Sequence, residues 1–82
     1  MAIKTALVTK QPEIGQLVRE LRLSTELTQE KFAAALGVTY PTISRWENGH
    51  TKPSPLAIQK IELHLRRMGE QGRYLLQRYL EN

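Results

Sequence analysis

The groups in this chain that could engage another molecule gather on one short run. Between Thr39 and Asn48 the sequence TYPTISRWEN, wound at helical period, sets Pro41, Ser44, Arg45 and Asn48 on one side and Ile43, Trp46 and Glu47 on the other. An arginine on such a ridge presents a planar fork of N–H donors that matches N7 and O6 of guanine, a pairing that discriminates between bases by roughly 1–3 kcal/mol. The same fork can grip a phosphate. Bond-making chemistry has no comparable set. The chain contains no Cys, its two His residues (His50 and His64) are too few for a metal site without carboxylates around them, and its acids are scattered over helix faces with no Gly-rich phosphate loop. The expectation is a binding protein without catalytic residues, metal or cofactor.

The elements that must position this ridge are legible from their ends. Thr28 is placed to cap a helix starting at Gln29, and Leu27 can pack against Phe32 as a hydrophobic staple. Phe32, Ala33 and Leu36 share one face, and Gly37 supplies the left-handed residue that stops the helix. The device then repeats: Thr39 is the cap, Val38 is set to staple onto Ile43, Pro41 occupies the first turn, and Gly49 closes the helix with Pro53 beyond it. Two capped helices joined by a tight Gly-containing turn are the helix-turn-helix signature.

The stretch Leu27 to Gly49, LTQEKFAAALGVTYPTISRWENG, also resembles the helix-turn-helix of the Cro/C1-type (Xre-like) repressors. That family's pattern is Leu-Thr/Ser-Gln, a small residue in mid-helix, Leu-Gly-Val, then Ile-Ser and an aromatic or aliphatic residue before Glu-x-Gly. The resemblance covers about residues 14 to 65. It implies an all-α, lambda-repressor-like DNA-binding domain, a compact bundle of about five short helices whose second motif helix enters the major groove. It also implies an ion pair between Arg22 and Glu47, with Arg22 near the DNA backbone, and a phosphate contact from the amide of Gln29. In related domains the positions of Tyr40 and Pro41 often carry polar base readers. Here Pro41 cannot donate and can at most touch a thymine methyl, while Tyr40 has a hydroxyl for a base or a phosphate.

The candidate base contacts are therefore Tyr40, Pro41, Ser44 and Arg45, and the candidate phosphate contacts are Arg22, Gln29, Thr39, Thr42, Asn48 and Lys52. Trp46 beside Ile43 is assigned to the core. Double-stranded DNA is the expected partner. One unit covers few base pairs, so two copies related by a two-fold axis are expected, with recognition helices about 34–36 Å apart on a palindromic operator.

Size and charge agree with that class. Eighty-two residues suit one domain with a modest core, and a net charge of +4 with a pI near 9.8 is the sign expected of a chain that meets nucleic acid. No run of eighteen apolar residues is present and residues 1–11 do not read as a leader, so a cytoplasmic protein of a prokaryote or phage is expected, without a membrane role.

Residues 1–11, MAIKTALVTKQ, read as a flexible or arm-like segment ahead of a single domain over 12–82. A short strand pairing with a partner, an early helical turn, and a basic arm using Lys4 and Lys10 on DNA stay open. Pro12 and Glu13 open a first helix with Ile14, Leu17, Val18 and Leu21 as its core stripe, followed by a polar connection over Ser24 to Glu26. Ser54 and Pro55 open a fourth helix to about Arg67, with Ile58, Ile61, Leu65 and Met68 facing inward and Leu56 and Leu63 on another side. Gly69 and Gly72 bracket a break before a short fifth helix, which must dock within the monomer or across a dimer. Leu63, Leu75, Leu76, Tyr79 and Leu80 are the dimer candidates.

The expected function is a sequence-specific regulator, most simply a repressor. Phage or mobile-element regulator, restriction-modification controller and self-repressing antitoxin are all compatible settings, the last adding a toxin partner. The alternative is a protein-interaction module that keeps the fold and binds a partner protein. RNA fits less well, because the A-form major groove excludes a recognition helix.

Overall fold

A computed structural model describes residues 6–81. The elements, in order, are β1 (Ala6–Leu7), α1 (Glu13–Thr25), α2 (Gln29–Leu36), α3 (Tyr40–Glu47), α4 (Pro55–Arg67), α5 (Glu70–Tyr79) and β2 (Leu80–Glu81). The architecture is the all-α bundle of five helices, with a two-residue antiparallel pairing of β1 and β2, Leu7 opposite Leu80, added at its ends.

α1 is the spine. Its stripe of Ile14, Leu17, Val18 and Leu21 is wholly buried, and α2, α3 and α5 all pack against this helix. The helix runs through Thr25 rather than yielding to a polar connection at Ser24. The Thr25 hydroxyl donates to the Arg22 carbonyl at 2.7 Å and accepts from the Leu27 amide at 3.3 Å, and Glu26 takes the left-handed conformation (φ 61°) that turns the chain. Glu26 has no conformational signature for this, which is why the ending could not be placed from sequence.

The ends of α2 follow the expected chemistry. Thr28 Oγ1 accepts from the Lys31 amide at 3.1 Å. At the other end Gly37 (φ 74°) lets its own amide reach the Ala34 carbonyl and the Val38 amide reach Ala33, the double bond that satisfies two orphan carbonyls. Phe32, Ala33 and Leu36 lie in the core and Leu27 packs against it.

In α4 the Ser54 hydroxyl accepts from the Ala57 amide at 3.2 Å. Ile61 and Leu65 are buried with Ala57, while Ile58 and Met68 pack at the margin. Leu56 and Leu63 face out, 62% and 49% exposed. Gly69 (φ 76°) turns the chain into α5, and Gly72 lies so close to the Leu65 carbonyl that no side chain fits between them.

α5 docks within the monomer. Leu75, Leu76 and Tyr79 are buried and Leu80 packs against the same cluster, so of the five residues considered for a dimer surface only Leu63 is free on the monomer's exterior. The Tyr79 hydroxyl donates to the Glu20 carboxylate on α1, and Arg78 adds an ion pair to Glu20 at 3.8 Å.

Residues 1–5, including Lys4, lie outside the described residues. The rest of the segment read as an arm folds back on its own chain. Leu7 and Val8 are buried, and the Val8 amide donates to the Tyr79 carbonyl at 2.9 Å. Their apolar character carried no period because a two-residue strand is too short to show one.

Two stability outcomes follow. Helix propensity alone would make Gly72→Ala stabilising by about 1 kcal/mol. The overlap of a Cβ with the Leu65 carbonyl reverses the sign, so urea unfolding should register a loss of about 1–3 kcal/mol. Burial, reinforced by the hydrogen bond to Glu20, pushes the Tyr79 phenol up to about 12 from 10.0. An acid raised in the folded state stabilises fully below its unfolded pKa, and that stability is lost as pH rises toward 12. Unfolding free energy should therefore fall by on the order of 2 kcal/mol more between pH 10 and pH 12 in the parent than in Tyr79→Phe.

Candidate nucleic-acid interface

α3 has two faces of opposite chemistry. Ile43 and Trp46 are buried. Glu47 goes inward with them, its side chain only 2% exposed, and an ionised carboxylate in such a place needs partners. Arg22 supplies them from α1, through Nε at 2.8 Å and Nη2 at 3.1 Å on separate oxygens, and Arg19 Nε adds a contact at 3.5 Å. The fork-on-fork geometry fixes the two helices in direction as well as distance. Its hydrogen bond to Glu47 holds the Arg22 guanidinium above its ordinary pKa. The pair implied by resemblance is thus present. Arg19 takes part as well, its spacing of three from Arg22 putting both on one side of the helix.

The outward face is what remains. Pro41, Arg45 and Asn48 are exposed, Tyr40 is 44% exposed, and Ser44 is half-buried. Asn48 Nδ2 donates to Ser44 Oγ at 3.3 Å, a contact along the ridge. Among the described residues no ion pair engages Arg45 or Lys52. Both cations stand open to an external anion or base edge.

The N-terminal end of α3 departs from expectation in one detail. Thr39 is the N-cap residue, yet its hydroxyl makes no bond to a first-turn amide. It pairs with the Thr42 hydroxyl at 2.9 Å. Pro41 in that turn has no N–H to offer, and the Thr42 hydroxyl engages the Thr39 hydroxyl in place of a first-turn amide donor.

The remaining candidates are spread over neighbouring elements. Gln29 is the first residue of α2, half-buried, with Thr28 exposed beside it. Lys52 is exposed on the loop between α3 and α4. Arg22 is the least free of the set, its side chain 18% exposed and its donors turned to Glu47. α1, α2 and α3 pack on one another, so Arg22, Gln29 and the side chains of α3 are carried by helices in mutual contact.

Gln11 went unnoticed in the sequence. Its side-chain amide donates to the Trp46 carbonyl at the end of α3, at 2.9 Å, and to the Thr51 carbonyl at 2.7 Å. A lone amide before a helix has no period or motif to mark it.

Among the described residues no group of three His, Asp or Glu side chains is arranged to hold a metal. No described helix is long and apolar enough to cross a membrane.

Comparison with known proteins agrees with the geometry. A family profile described as helix-turn-helix matches residues 18–67. The chain is 44% identical over 52 residues to the type II methyltransferase M1.ScrFI of Lactococcus lactis subsp. cremoris, an alignment that covers 60% of this chain and 13% of that enzyme. No solved structure matches the chain.

Loss of the α1–α3 pair should be costly and asymmetric. Glu47→Ala strands a mostly covered guanidinium, and urea unfolding should show a loss of about 2–4 kcal/mol, a little below the range for a wholly buried pair because Arg22 keeps an exposed edge. Arg19→Ala removes a more distant partner that is 54% exposed, and should cost under about 1 kcal/mol.

Proposed function

The chain belongs to the helix-turn-helix family in its Cro/C1-type branch, and from that premise we propose that it is a sequence-specific regulator of transcription, most simply a repressor. Binding to DNA is the property of the family. The finer assignment is supported by one observation above the rest: α3 is rotated so that Pro41 and Arg45 stand exposed, with half-buried Ser44 between them, while Glu47 is locked inward. A major groove admits one helix of this width, and the side chains on its outer ridge are those that meet base edges.

In this scheme Arg45 reads a guanine through its two parallel donors. Tyr40, Pro41 and Ser44 fill the groove around it, with apolar contact to a thymine methyl as Pro41's part. Gln29, Thr39, Thr42, Asn48, Lys52 and the exposed edge of Arg22 hold phosphates and set the register without reading sequence. The N-terminal amides of α2 beside Gln29 add to the grip on one anion.

The protein acts as a homodimer on a palindrome, because one recognition helix reads too few base pairs to find a site among genomic competitors. Its two-fold contact falls on Leu63, with Leu56 two turns earlier on α4, since Leu75, Leu76 and Tyr79 are already covered by the monomer. The setting is the cytoplasm of a prokaryote or of a phage-infected cell. The likeness to M1.ScrFI concerns a stretch amounting to 13% of that enzyme, so methyl transfer is not carried over. The same exposed leucines favour a second reading, an antitoxin or other module in which α4 meets a different protein such as a toxin. A monomer by sedimentation that still selects DNA would favour it.

Selection of bound duplexes from a random pool tests the main proposal. Enrichment of a palindrome with half-sites about 10 bp apart is the expected result. Arg45→Ala should relax preference at one base pair per half-site at a cost of roughly 1–3 kcal/mol. Gln29→Ala should weaken all sequences alike, and Lys52→Ala should in addition lower the salt slope by about 1 for each subunit. Uniform losses from all three variants on every duplex would remove the division between reading and anchoring.

A further inference from the structure

Gln11 lies outside the residues that the family profile matches, in the segment between β1 and α1, and it uses both of its amide donors and its carbonyl oxygen on backbone. Its Nε2 donates to the Trp46 carbonyl at 2.9 Å and to the Thr51 carbonyl at 2.7 Å, while its Oε1 accepts from the Gly15 amide at 3.1 Å. The first carbonyl ends α3. The second belongs to the loop that carries Lys52. The third partner orients the planar amide, so both donors are aimed by one contact on α1.

The surroundings make this a stiff joint. At Gly15 an added Cβ would overlap the Trp46 carbonyl oxygen, so the first turn of α1 lies directly against the end of α3. On its other side Gln11 follows a segment tied to the far end of the molecule, where Val8 donates to Tyr79 and Leu7 pairs with Leu80. The Trp46 carbonyl also accepts from the Gly49 amide at 3.2 Å. Loss of Gln11 therefore leaves the helix end hydrogen-bonded, and what goes is its fixed position relative to α1.

We propose that Gln11 is a positioning residue for DNA reading, which sets where the C-terminal half of α3 and the Lys52 loop stand against the duplex. The Arg22–Glu47 pair fixes the rotation of α3 from its side chain, and Gln11 fixes its end and the departing loop through the backbone. Arg45 stands one residue before the clamped Trp46, so a shift at that carbonyl moves the base-reading guanidinium. This inference rests on the DNA-binding role proposed above.

The test uses the full chain and two variants of similar size, Gln11→Met, which has no donors, and Gln11→Glu, whose carboxylate faces two carbonyls. In the DNA-free protein, amide hydrogen exchange at Asn48, Gly49 and His50 should quicken about tenfold in Gln11→Met, with α4 amides unchanged. At a temperature where all three proteins are fully folded, the ratio of affinity for the duplex recovered by the parent over a scrambled duplex of the same composition should fall about tenfold in both variants near pH 8. Near pH 5 Gln11→Glu should regain part of that ratio, since a carboxyl held among carbonyls protonates readily and can then donate, whereas Gln11→Met should not. Unchanged exchange overturns the anchor. Faster exchange with an intact affinity ratio reduces Gln11 to a structural strut and overturns the reading role. If the parent recovers no preferred duplex, the DNA-binding role itself fails and the reading role with it, while the exchange result still upholds or overturns the anchor by itself.

Discussion

Glu47 brings an ionised carboxylate to a place where its side chain is 2% exposed, a burial that costs several kcal/mol unless the charge is met by good geometry. Arg22 meets it on both oxygens. Hydrophobic contacts between α1 and α3 would tolerate some rolling of one cylinder on the other, because apolar attraction has no direction. A two-pronged hydrogen-bonded pair does not. Residues of a helix advance by about 100° each, so once Glu47 is fixed inward Arg45, two positions earlier, is carried about 200° around to the outside. The orientation of the ridge that carries Pro41 and Arg45 is set by a charge on its opposite face.

An eight-residue helix such as α3 has little stability of its own, and its usefulness depends on what holds its ends. The turn from α2 arrives through Gly37, whose left-handed backbone lets the chain reverse with its carbonyls satisfied. The far end meets α1 at Gly15 and the Gln11 amide. α1 is therefore not only the largest contributor to the core. Along its 13 residues it meets the end of α3 at Gly15, docks α5 through Glu20, and locks Glu47 through Arg22.

The parts of this arrangement readable in the sequence are those governed by local rules. Thr28 and Ser54 cap as their types dictate, Gly37 ends α2, and the stripe from Ile14 to Leu21 is buried at its expected period. The Arg22–Glu47 pair spans 25 residues and came from family likeness rather than from spacing. What escaped shares one property, a decision made by distant neighbours. Leu7 and Val8 are buried because α5 ends beside them. Gln11 bonds to carbonyls 35 and 40 residues away. In the dimer set, periodicity marked Leu75, Leu76 and Tyr79 as needing cover, and only tertiary packing determines whether that cover comes from the same chain.

The first turn of α3 limits how this ridge can recognise a duplex. Pro41 removes a backbone donor from this turn, and the Thr39 and Thr42 hydroxyls are engaged with each other at 2.9 Å. Each hydroxyl has a single proton, so while the pair persists one proton is spent inside it and the other is free. The pair can then give one hydrogen bond to a phosphate at no cost to itself, and a second only by breaking. On the DNA-reading role proposed above, the Thr39–Thr42 pair would supply one phosphate contact while it persists, and donor-based base reading would fall to the C-terminal half of the helix, at Ser44 and Arg45. The clamp on the Trp46 carbonyl and the ion pair at Glu47 both lie at that end, where the proposed reading would need the helix held in place.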